Sequence, residues 1–291
     1  QSLAAGGVSS PSTAAIAVGG YASGDVTLSS TEEFTASAQL ITAGAWSSGG
    51  NLNTARSGLG GFGESHSTAV AFAGRDTPIY QVTEEYNGST WTSVNNYPQT
   101  VVNVGATGTL TAGLGLGGLN PGSIPSFPTT GRVTAHYDGT DWTAGGTYVY
   151  DAWGTGMAGT QTAAAICGGI THPGGPTGYG PLKTTLEYDG SSWSEGGALS
   201  VEKYLHAAAG TQTAGLAFAG HVTPNVPALQ DTSEEYNGSS WTTGGDMNTA
   251  RRNVAGTGTQ TAALACAGYS PGSSPDFPLA NESYNGSSWT S

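Results

Sequence analysis

Six tryptophans, Trp46, Trp91, Trp142, Trp193, Trp241 and Trp289, recur at intervals of 45, 51, 51, 48 and 48 residues. A period in this range marks a repeat architecture, in which each copy is one supersecondary unit that buries its apolar face against its neighbours. Gly contributes 48 of the 291 residues and charged residues only 9%. Gly-rich chains of low hydrophobicity are often disordered, but strictly phased aromatics exclude that reading here.

Each Trp closes the same hairpin. The copies include Glu85-Tyr86-Asn87-Gly88-Ser89-Thr90-Trp91, His136-Tyr137-Asp138-Gly139-Thr140-Asp141-Trp142 and Glu187-Tyr188-Asp189-Gly190-Ser191-Ser192-Trp193, and the pattern recurs at Tyr236–Trp241 and Tyr284–Trp289. Asn-Gly and Asp-Gly tolerate positive φ, so a tight turn is expected, with Tyr and Trp on its two arms. Upstream lies an apolar run ending in Gly, such as Ala71-Phe72-Ala73-Gly74 or Ile166-Cys167-Gly168-Gly169, preceded by a run of very small residues such as Val254-Ala255-Gly256-Thr257-Gly258. One repeat therefore reads as four strands, and four antiparallel strands repeated around an axis form a propeller blade. Only small side chains fit where blades converge, so the Gly/Ala strand is expected innermost.

The Gly-terminated strand followed by Tyr and then Trp across a turn resembles the kelch repeat. That resemblance implies an all-β fold, a six-bladed β-propeller of four-stranded kelch-like blades in a single domain spanning 1–291. The blades divide at approximately 1–50, 51–96, 97–146, 147–197, 198–245 and 246–291. The variant carrying Tyr-Asn-Gly-Ser-Ser-Trp, Asn-Thr-Ala-Arg and Gly-Thr-Gln-Thr-Ala also resembles kelch-like repeats of aquatic bacteriophage virion proteins. Blade 1 departs from the pattern: Phe34 replaces Tyr, and its outer hairpin carries extra residues between Thr35 and Ala45. The chain starts at Gln1 without a Met, which reads as a processed form or an excerpt. A blade 1 that begins on an inner strand and a blade 6 that stops after its Trp would leave closure to blade-on-blade packing.

Turns between strands one and two, and three and four, are nearly constant among copies and fall on one side of the ring. Connections on the opposite side vary and are rich in Pro and aromatics, as in 120–128, 172–181 and 270–278. Pro-stiffened loops on a rigid scaffold present contacts at little ordering cost. Phe127, Phe277 and Tyr80 in such loops are candidate partner contacts. Trp153 is the seventh Trp and has no counterpart in the repeat; its blade-aligned equivalents are Ser57, Val102, Tyr204 and Arg252. Trp153 and Tyr204 are expected to flank one another near the central opening. Tyr148, Tyr150, Tyr179, His172 and His221 come from the same sector. Aromatics with polar neighbours stack on sugar rings or anchor proteins, so these seven residues form the candidate ligand-binding set. The bland alternative is that they plug the channel or pack beneath loops.

Net charge is −13, from 20 acidic and 7 basic residues. With no Lys/Arg cluster, nucleic acid and anionic membrane surfaces are poor partners, and no apolar run is long enough to span a bilayer. Cys167 and Cys266 occupy a strand position filled elsewhere by Val18, Phe72, Leu116 and Phe218, which makes them small buried hydrophobes beyond disulfide reach of one another. Of the five His, three (His172, His206, His221) could converge on the variable side, but nothing fixes a metal geometry. The acidic pairs Glu32-Glu33, Glu84-Glu85 and Glu234-Glu235 repeat with the blades, whereas a catalytic pair should break the repeat. The Asn-Gly-Ser triplets at Asn87, Asn237 and Asn285 are formal glycosylation acceptors that turn geometry already explains. No catalytic residue, metal or cofactor is assigned.

The expectation is a non-enzymatic binding or structural propeller on a virion surface or an extracellular one. It fits a bacteriophage fibre, decoration or receptor-binding protein contacting a host surface glycan or a neighbouring virion protein, within a larger assembly. The alternatives are an exported carbohydrate-active enzyme on a kelch scaffold, or a ligand-free filament or decoration subunit.

Overall fold

The structure, a computed structural model, describes residues 14–22, 26–35, 45–120, 132–171, 180–222, 228–271 and 281–291. These residues are all-β, with no helix among them, in seven antiparallel sheets of three or four strands and two short two-stranded ladders. Six principal sheets follow the sequence repeat. The second comprises Gly60–Ser65, Thr68–Phe72, Thr83–Tyr86 and Trp91–Val94; the third Gly105–Thr109, Ala112–Leu116, Thr134–Tyr137 and Trp142–Ala144. The fourth comprises Gly156–Thr160, Ala163–Cys167, Thr185–Tyr188 and Trp193–Glu195; the fifth Ala207–Thr211, Ala214–Phe218, Ser233–Tyr236 and Trp241–Thr243. The sixth comprises Ala255–Thr259, Ala262–Cys266, Asn281–Tyr284 and Trp289–Thr290. In each, strands pair in chain order. The first sheet has three described strands, Ala14–Val18, Thr31–Thr35 and Ala45–Ser48, whose register (Ala15↔Phe34, Phe34↔Trp46) matches strands two to four of the others. The small-residue strand expected before it, and the extra hairpin residues 36–44, fall outside the described residues.

Second strands are buried along nearly their whole length (Ala69 to Phe72, Gly113 to Leu116, Ala164 to Cys167) because a sheet packs on both of their faces. Small inner residues permit that approach: a Cβ on Gly113 would sit 2.0 Å from the ring of Phe62 in the preceding sheet. Fourth strands are exposed directly after their Trp, as expected of an outer edge. Apolar clusters join consecutive sheets: Ile16, Val18, Leu59 and Ala71 across one and two; Phe62, Phe72, Ala135 and Tyr137 across two and three. Similar clusters join three to four, four to five, and five to six. A further cluster brings Ala15 and Phe34 of the first sheet against Ala255, Leu264 and Cys266 of the sixth.

The repeated aromatics do two jobs. Within a sheet, Tyr and Trp face each other across strands three and four at ring-centroid distances of 4.7–5.0 Å, a contact worth ~1 kcal/mol beyond burial. Between sheets their polar ends reach backward. The Trp91, Trp142, Trp193 and Trp241 indole N–H groups donate to Thr31, Thr83, Thr134 and Thr185 of the preceding sheet at 2.8–3.0 Å, and that of Trp289 donates to Ser233. The hydroxyls of Tyr86, Tyr137, Tyr236 and Tyr284 donate to Glu33, Glu85, Glu187 and Glu235 at 2.5–2.6 Å. Tyr188 instead meets His136 at 2.8 Å. Burial, then the carboxylate bond, raises the Tyr236 and Tyr284 phenols to about 12.

One residue earlier in strand three, three sheets carry an acid with a different partner. Glu84 binds buried Arg56, Glu234 binds Lys203 at 3.3 Å, and Glu282 binds Arg251 at 2.7 Å. The carboxylates also accept N–H bonds from Asn53, Ser200 and Asn248. At the same repeat positions the third sheet has Val101 and Ala135, and the fourth Ala152 and Leu186, all buried. In sheets two to six the pair is therefore either ionic or apolar, because a lone buried charge costs more than either solution.

The outer turn departs from expectation. Asn87 N–H bonds Thr90 carbonyl, and Tyr86 pairs with Trp91, so the loop has four residues, Asn87 to Thr90. Only Gly88 has positive φ, +91°. Asn87 serves through its side chain, whose Oδ1 accepts from the N–H groups of Ser89 and Thr90 at 3.0 and 2.9 Å.

The ion-or-apolar rule is testable. Arg251→Val alone strands the Glu282 carboxylate and should cost about 3–5 kcal/mol in urea unfolding. Arg251→Val with Glu282→Ala, which copies the third sheet, should recover most of that loss. Additive losses would contradict the rule.

Candidate functional site

At the end of the sheets opposite the constant turns, the chain enters each first strand through a short bridge to the residue following strand two. The bridged pairs are Ser57–Arg75, Val102–Leu119, Trp153–Ile170, Tyr204–His221 and Arg252–Tyr269. The next residue in each copy, Gly58, Asn103, Gly154, Leu205 or Asn253, is left-handed, with φ between +54° and +64°. Gly and Asn suit that conformation, whereas Leu205 pays roughly 1 kcal/mol for it. The turn is held because these residues bond to one another. Asn103 N–H donates to Gly58 carbonyl, Gly154 to Asn103, Leu205 to Gly154 and Asn253 to Leu205, at 2.7–3.3 Å. The result is a backbone belt running through five consecutive sheets.

The belt lines a cavity of about 380 Å³ with Ser57, Arg75, Val102, Thr155 and His206. A narrower space of about 150 Å³ is walled by the first strands of sheets two to six, including Thr107, Met157, Ala208 and Thr257. The polar residues lining the wider cavity are Ser57, Arg75, Asn103, Thr155, His206 and Asn253.

Beside it the bridged positions form an arc across sheets four to six. Trp153 and Tyr204 meet edge to face at 5.9 Å, Tyr204 and His221 at 5.2 Å, and Arg252 lies 4.9 Å over the Tyr269 ring. Burial, then the neighbouring positive Arg252, lowers the His221 pKa, so His221 is neutral at pH 7. Trp153 Nε1, His221 Nδ1 and Arg252 Nε have no hydrogen-bond partner among the described residues.

The sequence candidates distribute unevenly. Trp153, Tyr204 and His221 are brought together. Tyr148 is 2% exposed and stands where other copies place Leu52, Tyr97, Leu199 and Met247, all core residues, so it is a packing residue. Tyr150 is half-buried, its hydroxyl 3.4 Å from Glu195. Tyr80 is half-buried, its N–H bonded to Gly74 carbonyl, and lies apart from the arc. His172, Tyr179, Phe127 and Phe277 fall outside the described residues. Short ladders not foreseen in the sequence root the variable connections: Ala152–Trp153, Ile170–Thr171 and Gly180–Pro181 form a three-stranded sheet, and His221–Val222 pairs with Ala228–Leu229. Arg75, Asn103, Asn253 and Tyr269 were missed as site residues. A signal existed: Arg75 and Tyr269 directly follow the constant Gly74 and Gly268, in the same place as His221.

His206 does not join His221 in a metal cluster, and no group of three or more His, Cys, Asp or Glu suited to a metal occurs among the described residues. Its Nε2 lies 3.4 Å from Cys167 Sγ. Burial pushes the Cys167 thiol up to about 12 and, with Lys203, pulls His206 down to about 3. Both are neutral at pH 7 and share one hydrogen bond whose direction follows the His206 tautomer. A thiol held in this way is a poor nucleophile. Cys167 and Cys266 are free and buried.

Comparison with protein-family models finds no match, and comparison with curated proteins finds none.

The His206 environment sets a pH dependence. The unfolded chain takes up a proton near 6.5, while the folded one resists until about 3, so stability is lost as pH falls through that window. His206→Val, which copies Val104 and Val254, should remove up to ~1.4 kcal/mol of that loss per pH unit. Urea midpoints at pH 7 and 4.5 would read it; an equal drop in both proteins would contradict it.

Proposed function

We propose that this chain is a six-bladed kelch-like β-propeller acting as a non-enzymatic binding module on a virion or cell surface, with its ligand at the cavity-bearing mouth. Closure into a ring is supported by the apolar cluster shared between the first and sixth sheets. The observation that carries the binding reading is a contrast among copies. Core positions and constant turns repeat, whereas the mouth positions diverge into Trp153, Tyr204 with His221, and Arg252 with Tyr269, next to a cavity of about 380 Å³. A scaffold diverges from its own repeat where it meets something outside the repeat.

Charge placement points to an acidic glycan. Of the seven cationic side chains, Arg56, Lys203 and Arg251 are consumed in buried ion pairs. The other four are on the mouth side: Arg75 on the cavity wall, Arg252 in the arc, and Arg132 and Lys183 at the entries to third strands. The opposite turns carry Asp138, Asp141 and Asp189. In a chain of charge −13, these four cations sit on the mouth side among Asp76, Asp151, Glu202, Asp231 and Asp246, so they supply local partners for an anionic group rather than a one-signed field. Half-buried Trp153 offers a face for a sugar ring, with Tyr204 buried behind it as support, and Arg252 offers a partner for its carboxylate or sulfate. A host surface polysaccharide fits this chemistry, and a virion component is the setting that the repeat variant suggests.

The test is binding of the purified chain to uronate-bearing, sulfated and neutral oligosaccharides. Acidic ligands should bind and weaken with salt, and Trp153→Ala or Arg252→Ala should each lower affinity by about 10-fold, ~1.4 kcal/mol. Binding only to a neighbouring virion protein would retain the module and reject the glycan. Glycan turnover abolished by metal removal would reject the non-enzymatic reading.

A further inference from the structure

The outer turns carry a chemical property independent of any ligand. Three have Asn followed by Gly (Asn87-Gly88, Asn237-Gly238, Asn285-Gly286), and two have Asp in the same place (Asp138-Gly139, Asp189-Gly190). All five fold alike. Each Asn Oδ1 accepts N–H bonds from the second and third following residues at 2.9–3.0 Å. Each Asp Oδ1 accepts the equivalent bonds at 2.7–2.8 Å. All five side chains are exposed.

We propose that Asn87, Asn237 and Asn285 are modification sites at which the folded protein deamidates spontaneously to aspartate. Three features of the turn favour the reaction. Donors on Oδ1, including the hydroxyls of Ser89, Ser239 and Ser287 at 3.0 Å, draw electrons from Cγ and would stabilise negative charge developing on that oxygen. The attacking N–H of Gly88, Gly238 or Gly286 carries no hydrogen bond among the described residues, and glycine offers no side chain to hinder approach. The departing amide nitrogen is likewise unbonded among the described residues.

The atoms balance without an oxidant or reductant. The glycine nitrogen bonds to Cγ, the Cγ–Nδ2 bond breaks, and ammonia leaves with the proton displaced from glycine. One water molecule then opens the five-membered imide, giving aspartate or isoaspartate. The aspartate product is a turn this chain already builds twice. There the turn N–H groups hold the carboxyls of Asp138 and Asp189 below the usual carboxylate range, and charge-assisted bonds are the stronger kind. Conversion adds three negative charges to the turn side and leaves the core untouched. Asn53 and Asn248 provide internal controls, because their Nδ2 groups donate to Trp91 and Trp289 carbonyls.

The experiment ages the native chain at mildly alkaline pH. Peptide mass mapping reads the amide-to-acid exchange, and isoelectric focusing reads the charge. Asn87, Asn237 and Asn285 should convert to aspartate, told from isoaspartate by isoaspartyl methyltransferase labelling, while Asn53 and Asn248 remain amides and the melting temperature is held or raised; isoaspartate as the main product would overturn the proposal. The triple variant Asn87→Asp, Asn237→Asp, Asn285→Asp should fold, melt no lower than the parent, and focus with the fully aged protein. Conversion only in urea would overturn the proposal, because the turn would then be protective. A glycan mass on these asparagines, or a triple variant that melts well below the parent, would overturn it equally.

Discussion

The structure depends on a bond that the outer hairpins of sheets two to six make backward. A Tyr hydroxyl donates to the preceding sheet's Glu, and a Trp indole donates to that sheet's Thr or Ser. Both rings are otherwise packed on apolar surface, so their polar ends need partners. Finding them only on the neighbouring sheet sets the spacing and angle between sheets. Gln161, Gln212 and Gln260 reinforce the step from the inner turns, each donating to two carbonyls of the sheet before. The belt of left-handed residues repeats it at the mouth. Inter-sheet order is therefore polar and directional, laid over a nonspecific apolar core.

Much of this was legible in the chain because a repeat supplies its own comparison. The four strands, the buried cysteines and the core second strands follow from residue type at fixed spacing. The partners of the acids were not legible. Glu84 and Glu85 look alike in sequence, yet adjacent strand residues face opposite ways, so one meets Arg56 and the other Tyr137. The tight Asn-Gly turn was legible, but the role of its Asn was not: Gly88 alone takes positive φ, and Asn87 acts through its side chain.

Site residues were legible only where they broke the repeat conspicuously. Trp153 did so, and its contact with Tyr204 follows from their equivalent positions in adjacent copies. Tyr148 misled because an aromatic in a Tyr-rich stretch resembles a binding residue, while its register places it in the core. Asn103, Leu205 and Asn253 were invisible because their role lies in backbone φ, which composition does not report. The strain at Leu205 sits on the cavity wall, where nonideal backbone tends to be kept for a reason.

One step lacks the backward bond. Glu33, Glu85, His136, Glu187 and Glu235 serve five sheets, but at the corresponding position the sixth has Ser283, and the first sheet has Phe34 where the others have Tyr. The Tyr–Glu acceptor and donor are missing together, at the seam where a ring of six would close on the apolar cluster of Ala15, Phe34, Ala255, Leu264 and Cys266. A double-mutant cycle with Ser283→Glu and Phe34→Tyr tests this directly by urea unfolding. A closed ring predicts a favourable coupling of about 1 kcal/mol between the two changes. Strict additivity would mean that the first and sixth sheets do not meet as neighbours, and the radial account would fail.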